Sequence, residues 1–197
     1  NCIKNIKPVE DLVGLEILNL EGNQISDLSY LEKLSSLEIL KLSCNYIEDI
    51  SYIEHLKCLT RLELKSNYIK DVSTIGTLMG LQTLWLDMND IEDATSLETL
   101  CLLSDLRLNK NKIKDISFVK RMVELDILEL NDNEIESIEY LKNVTQLSLL
   151  ELSNNRIEDI CPLREMFNLK ELNLANNKIE NLEPIKGLTE LKELSLH

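Results

Sequence analysis

With 35 acidic against 21 basic side chains in 197 residues, and a formal net charge of −14, the chain is ill suited to grip a nucleic-acid backbone or an anionic membrane surface. Hydrophobic residues make up 44% of it, ample for a core, but only 4% are aromatic, so aliphatic side chains must fill that core. No stretch approaches the length of a membrane-spanning helix, and the first residues do not read as a signal peptide.

Residues 1–14 read as the tail of a coil whose strand is missing, with Ile3, Ile6, Val9 and Leu12 at its turn and return positions. From Leu15 onward the chain repeats strictly every 22 residues. Eight complete coils begin at 15, 37, 59, 81, 103, 125, 147 and 169 and fill residues 15–190, and residues 191–197 open a ninth strand. Each coil begins with leucine, and asparagine recurs in register at Asn23, Asn45, Asn67, Asn89, Asn111, Asn133, Asn155 and Asn177. Nothing breaks the register, so residues 1–197 are expected to form a single elongated domain.

The unit Leu37–Cys58 shows how one coil is built. Leu40 and Leu42 are two apart, the period of a strand, which places Ile39, Lys41 and Ser43 on the opposite, solvent side. Past the asparagine, Ile50, Ile53 and Leu56 are three apart, the period of a 3₁₀ turn. A lone coil cannot bury this apolar face, so the coils must stack, with strands pairing in parallel about 4.8 Å apart. The asparagine amide, neutral and both donor and acceptor, is expected to bond backbone groups of its own coil and the next. Asp27, Asp49, Asp71, Asp93, Asp115 and Asp159 precede the returns, where aspartate caps a turn through its own backbone. Ser29/Glu32, Ser51/Glu54 and Thr95/Glu98 have capping-box spacing, and Pro162 and Pro184 are expected first in their turns.

A fixed period of 22 residues bearing L-x-x-L-x-L-x-x-N is identified as a leucine-rich repeat. The signature N-x-I-x-D-I-S-x-L, as Asn45-Tyr46-Ile47-Glu48-Asp49-Ile50-Ser51-Tyr52-Ile53, resembles the internalin-type repeat of bacteria. The resemblance implies an α/β right-handed solenoid with a parallel concave sheet and short 3₁₀ or helical returns on the convex side. Internalins are surface adhesins that grip host proteins on the concave strand face, so it also implies a non-catalytic protein-binding role. The same repeat class includes an intracellular regulatory subunit of protein phosphatase 1, which keeps open an intracellular scaffold or phosphatase-regulator role. Tyr30, Tyr52, Phe118 and Tyr140 stand where internalins usually carry proline.

Cys2, Cys44, Cys58, Cys101 and Cys161 fall too far apart in register to pair, since disulfides need Cα atoms within about 7 Å. Free thiols favour a reducing, cytoplasmic compartment, while the sequon Asn143-Val144-Thr145 points the other way.

Positions fixed as Leu, Ile or Asn carry no information about partners, so that information must sit on the outward strand positions. There the single tryptophan, Trp85, is surrounded by Arg61, Lys65 and Arg107, with Lys41, Glu63 and Asp87 interleaved. Trp and Arg are the side chains most enriched at interface hot spots. Further along, Ile127 and Leu149 are flanked by Glu129 and Glu151, an apolar patch with an acidic rim suited to a basic partner. No Ser/Cys–His pair, Gly-rich phosphate loop or Cys/His metal spacing appears, so no enzymatic activity, cofactor or metal is expected. The end coils lack polar caps: Ile3, Ile6, Val9 and Leu12 at one end and Leu191, Leu194 and Leu196 at the other favour fraying or end-to-end self-association.

Overall fold

The computed structural model describes all of residues 1–197. Nine three-residue strands form one sheet: β1 (Ile17–Asn19), β2 (Ile39–Lys41), β3 (Arg61–Glu63), β4 (Thr83–Trp85), β5 (Asp105–Arg107), β6 (Ile127–Glu129), β7 (Leu149–Glu151), β8 (Glu171–Asn173) and β9 (Glu193–Ser195). They lie side by side in chain order. Each pairs in parallel with the next, so that Leu40 lies beside Leu62 and Leu62 beside Leu84. Between strands the chain returns through 3₁₀ turns of three to five residues, such as Ser51–Ile53 and Ser117–Arg121. The architecture is the leucine-rich-repeat solenoid expected from the repeat, and no helix is long and apolar enough to cross a membrane.

The core follows the register. In the coil starting at Leu37, the side chains of Leu37, Leu40, Leu42, Ile47, Ile50, Ile53 and Leu56 are buried, and the pattern repeats without interruption from Leu18 to Leu174. Full burial of each such side chain contributes about 1.5–3 kcal/mol, which lets strands of only three residues hold a sheet together. Phe118 is fully buried, and Tyr30, Tyr52 and Tyr140 pack half-buried against the same core, so the aromatic substitutions at this position act as wedges under the convex turns.

Stacking is completed by hydrogen bonds from coil to coil. Leu42 donates its N–H to Glu63 O at 2.8 Å, Cys44 to Lys65 O at 2.7 Å and Tyr46 to Ile25 O at 2.9 Å. To aim its N–H at the next coil, the residue before each ladder asparagine adopts a left-handed conformation. Cys44, Ser66, Met88, Lys110, Asp132, Asn154 and Asn176 all have φ between 54° and 57°, and Gly22 has φ 66°. For a residue with a Cβ that conformation is unfavourable by roughly 1–2 kcal/mol. The repeat accepts it because the turned N–H gains a hydrogen bond to the next coil, as Cys44 N to Lys65 O and Met88 N to Asn109 O.

Three local expectations need correction. The ladder asparagines bond the preceding coil and not the following one. Asn45 Nδ2 donates to Leu42 O at 3.0 Å in its own coil and to Leu20 O at 3.0 Å in the coil before, and Oδ1 accepts from Ile25 N at 3.0 Å. The chain reaches its asparagine after the left-handed residue has turned the side chain back under the coil already laid down. The capping boxes do not form, since Ser29, Ser51 and Thr95 are the first residues inside their turns and no side-chain cap is made. The aspartate two residues earlier caps instead: Asp27, Asp49 and Asp93 Oδ1 accept from the N–H of Ser29, Ser51 and Thr95 at 2.8–2.9 Å. For the same reason Pro162 and Pro184 sit second in their turns, behind Cys161 and Glu183. The Asx-turn reading itself is borne out, with Asp71, Asp115 and Asp159 accepting from Ser73, Ser117 and Cys161 N–H groups at 2.7–2.8 Å. Asn5 and Asn181 serve the same turns where aspartate is absent.

Candidate functional site

The strand alternation that buries Leu62, Leu84 and Leu106 turns their neighbours onto the concave face, and the parallel register then places side chains one coil apart in direct contact. Glu63, Trp85 and Arg107 occupy one such row, and Arg61, Thr83 and Asp105 the adjacent one. Trp85 is half-buried there. The guanidinium carbons of Arg61 and Arg107 each lie 4.6 Å from its ring centroid. Its indole N–H donates to Asp105 Oδ2 at 3.1 Å.

Both arginines are held by acids. Arg61 Nε donates to Glu63 Oε1 at 2.6 Å, and Lys41 Nζ approaches the same oxygen at 3.0 Å. Arg107 forks onto Asp105 at 2.9 and 3.1 Å and reaches Glu129 Oε1 at 2.9 Å. Burial alone would lower the Arg107 pKa, but the hydrogen bonds and charge of Asp105, then the charges of Glu129 and Asp87, leave it raised. The result is a pre-organised platform in which aromatic, cationic and anionic groups hold one another in place.

Several residues expected to face solvent are in fact covered. Glu63, Asp87, Ser43 and Ser153 point to the concave side but are buried, because the side chains of adjacent coils close over a sheet whose strands are so near. Glu63 and Asp87 therefore organise the surface and present little of themselves to a partner. Asp87 Oδ1 accepts from Asn109 N and Nδ2 at 3.1 and 2.8 Å. Ser43 Oγ is buried and has no hydrogen-bond partner. Lys65 is exposed, forms no ion pair and borders the shallow depression shared by Trp85, Met88, Arg107 and Asn109.

Toward the C-terminal end, Ile127 pairs with Leu149 and Glu129 with Glu151, so two aliphatic side chains lie beside two stacked carboxylates. Burial chiefly raises the Glu129 pKa, helped by the charges of Asp87 and Glu151 and opposed by the Asn109 hydrogen bond and by Arg107. Glu151 Oε2 accepts from Asn131 and Asn173 Nδ2 at 3.0 and 2.8 Å. Asp105, Asn109, Asn131 and Asn173 were not among the residues singled out by composition. Their signal was positional: each lies on an outward strand position in register with a residue that was.

The eight ladder asparagines are structural, each amide bonded to main-chain groups. The five cysteines are unpaired, four exposed and Cys101 half-exposed.

Comparison with known proteins agrees with the repeat and the fold. The family described as Leucine Rich repeats (2 copies) matches residues 13–58 and 168–197. Internalin C2 of Listeria monocytogenes is 32% identical and superposes with a TM-score of 0.93 over 95% of this chain and 83% of that one. A second internalin of Listeria monocytogenes, inlF, is 29% identical, with a TM-score of 0.69 over 100% of this chain and 72% of that one. A leucine-rich repeat protein of Leptospira interrogans is 26% identical, with a TM-score of 0.78 over 100% of this chain and 58% of that one. No curated protein matches the chain by sequence.

Proposed function

Since this chain belongs to the internalin-like leucine-rich repeat proteins, we propose that it is a non-catalytic recognition domain that binds a protein partner on its concave sheet. The observation that carries this reading is the Trp85 platform. At its inward positions the repeat demands leucine, isoleucine or asparagine, but on this outward row a half-buried tryptophan is clamped between two arginines held by buried Glu63 and half-buried Asp105, near the centre of the sheet. Such rigid Trp–Arg clusters lose little side-chain entropy on binding and are the usual sites of interface hot spots. The contacting residues of this reading are Trp85, Arg61, Arg107, Lys65 and Lys41, with Ile127, Leu149, Glu129 and Glu151 farther along, while Glu63 and Asp87 support them from beneath. A partner captured by the wild-type domain should be retained by Lys120→Ala on the convex side. Trp85→Ala should weaken it by about tenfold or more. Equal retention by all three proteins would remove the concave face from the proposal.

A second reading, an intracellular scaffold or phosphatase-regulator subunit, is favoured by the unpaired cysteines. Titration of denatured protein without reductant should then find five free thiols, and three or fewer would argue for an oxidising compartment. For a chain of these 197 residues, exposed Leu12 and Val13 at one end and Leu194 and Leu196 at the other also support end-to-end association. Light scattering across a concentration series tests that, and a constant monomer mass would exclude it.

A further inference from the structure

The concave face is divided by charge. On β2 to β5 and the residues just beyond them, the outward positions carry Lys41, Arg61, Lys65 and Arg107 among three carboxylates; from β6 onward they carry Glu129, Glu151, Glu171 and Glu193 and no Lys or Arg. The first half is largely neutralised from within, since Glu63 holds Lys41 and Arg61, while Asp105 and Glu129 hold Arg107. The second half is not. Glu151 forms no ion pair with any cation, and its two asparagine donors both reach Oε2, leaving Oε1 without a donor. Asn131 and Asn173 fix this carboxylate from the strands on either side. Beside it Ile127 and Leu149 lie half-exposed and side by side.

We infer that the β6–β8 half of the concave face receives a basic segment of the protein partner, an extended stretch with lysine or arginine two residues to either side of an aliphatic residue. The inference rests on the recognition reading above and gives it a chemistry and a direction. The cation meets Glu151 Oε1, the one carboxylate oxygen of this region held in place and left unbonded, with Glu129 one coil away. The aliphatic residue covers Ile127 and Leu149. Leu149 and Glu151 are two residues apart on one strand, about 6.6–6.8 Å, a distance that neighbouring same-face side chains of an extended segment also span. A partner segment rich in acids would meet like charge here, which is destabilising. The wrong half of the same partner is thus rejected and the docking polarity is set.

The test is an amide-resolved NMR titration of the whole chain with the blocked peptide Gly-Lys-Gly-Leu-Gly-Lys-Gly, whose Lys and Leu share one face when extended, and with its counterpart Gly-Glu-Gly-Leu-Gly-Glu-Gly. The lysine peptide should shift amides of β6 to β8. Its Kd should weaken by about tenfold on Glu151→Gln, which keeps the shape of the side chain, and weaken on Leu149→Thr, but stay unchanged on Glu32→Gln in a convex turn. Shifts spread over the acidic surface at large, or a Kd indifferent to Glu151→Gln, would overturn the inference, as would no binding. If the glutamate peptide alone binds, and on β2 to β5, concave recognition stands and this inference falls. If both peptides perturb only convex residues, both fall.

Discussion

At Asn89 one side chain satisfies four backbone groups: Nδ2 serves Leu64, Leu86 and Asp87 carbonyls at 3.0–3.3 Å, and Oδ1 accepts from Ile69 N at 3.0 Å. Asn111 does the same one coil later, for Leu86, Leu108 and Asn109 carbonyls and for Ile91 N. Truncation leaves Ile69 N or Ile91 N without its acceptor and removes one of the two donors to each of these carbonyls, the other coming from a neighbouring ladder asparagine or a main-chain N–H. Asn89→Ala and Asn111→Ala are therefore each expected to destabilise by about 1–3 kcal/mol. Denaturant midpoints measure this, and unchanged midpoints would remove the ladder from the account. The ladder was legible in the sequence because its eight asparagines recur in register. Its direction was not, because direction depends on the left-handed residue before each asparagine. That position reads Gly22, Cys44, Ser66, Met88, Lys110, Asp132, Asn154 and Asn176. Only glycine, asparagine and aspartate there hint at positive φ, and the long side chains at 88 and 110 hide it.

The convex return is the element in which charge and close packing meet. Backbone hydrogen bonds from Ser29, Ser73 and Cys161 chiefly hold Asp27, Asp71 and Asp159 below the usual carboxylate range, and for Asp93 the Thr95 hydroxyl is the larger cause. A lowered folded pKa means stability that is fully present above the ordinary aspartate value, roughly 3.9, and is lost as pH falls through the folded values. Glu129 works in the opposite sense. Its folded pKa is raised, mainly by burial, so its charged form opposes folding above that value and the penalty is relieved on acidification. Thermal midpoints should hold or rise slightly from neutral pH into the glutamate range and then drop below it. An Asp71→Ala, Asp93→Ala double variant should show a shallower acid drop than the parent; parallel curves would deny the turn aspartates this role. Sequence spacing suggested serine-led capping boxes, and the structure uses the aspartates because a 3₁₀ turn starting at the serine leaves its N–H pointing back at them.

Glycine marks one place where two returns nearly touch. A Cβ on Gly76 would stand 2.3 Å from Ser96 O, and Thr99 Oγ1 already donates to Gly76 O at 2.6 Å. Gly76→Ala must therefore push apart the third and fourth full returns and should lower stability by about 1–3 kcal/mol, the usual range for overpacking. Gly14→Ala, where nothing lies within 4 Å, is the control. Equal midpoints for the two variants would show that the returns can separate without loss. Nothing in the 22-residue register foretold this contact, because it depends on the path of one irregular coil.

For the molecule as a whole, the period of 22 residues was enough to read strands, returns, core and solenoid, since each of these repeats. The recognition surface was only half legible for the same reason. Alternation told which residues face outward, so Trp85 and its arginines were found. It could not tell that Glu63 and Asp87 are covered by their neighbours, or that Asp105 and the asparagines at 109, 131 and 173 tie the surface together. Those are consequences of side chains stacked one coil apart. The claim that the concave face engages the partner is tested most directly by photo-cross-linking. A benzophenone amino acid is placed at exposed Lys65, beside the Trp85 depression, or at exposed Lys120, in the convex turn Ser117–Arg121. Adducts with a partner protein should form from position 65 and be lost on Trp85→Ala, while position 120 stays silent. Adducts from position 120 alone, or from both positions regardless of Trp85, would contradict it.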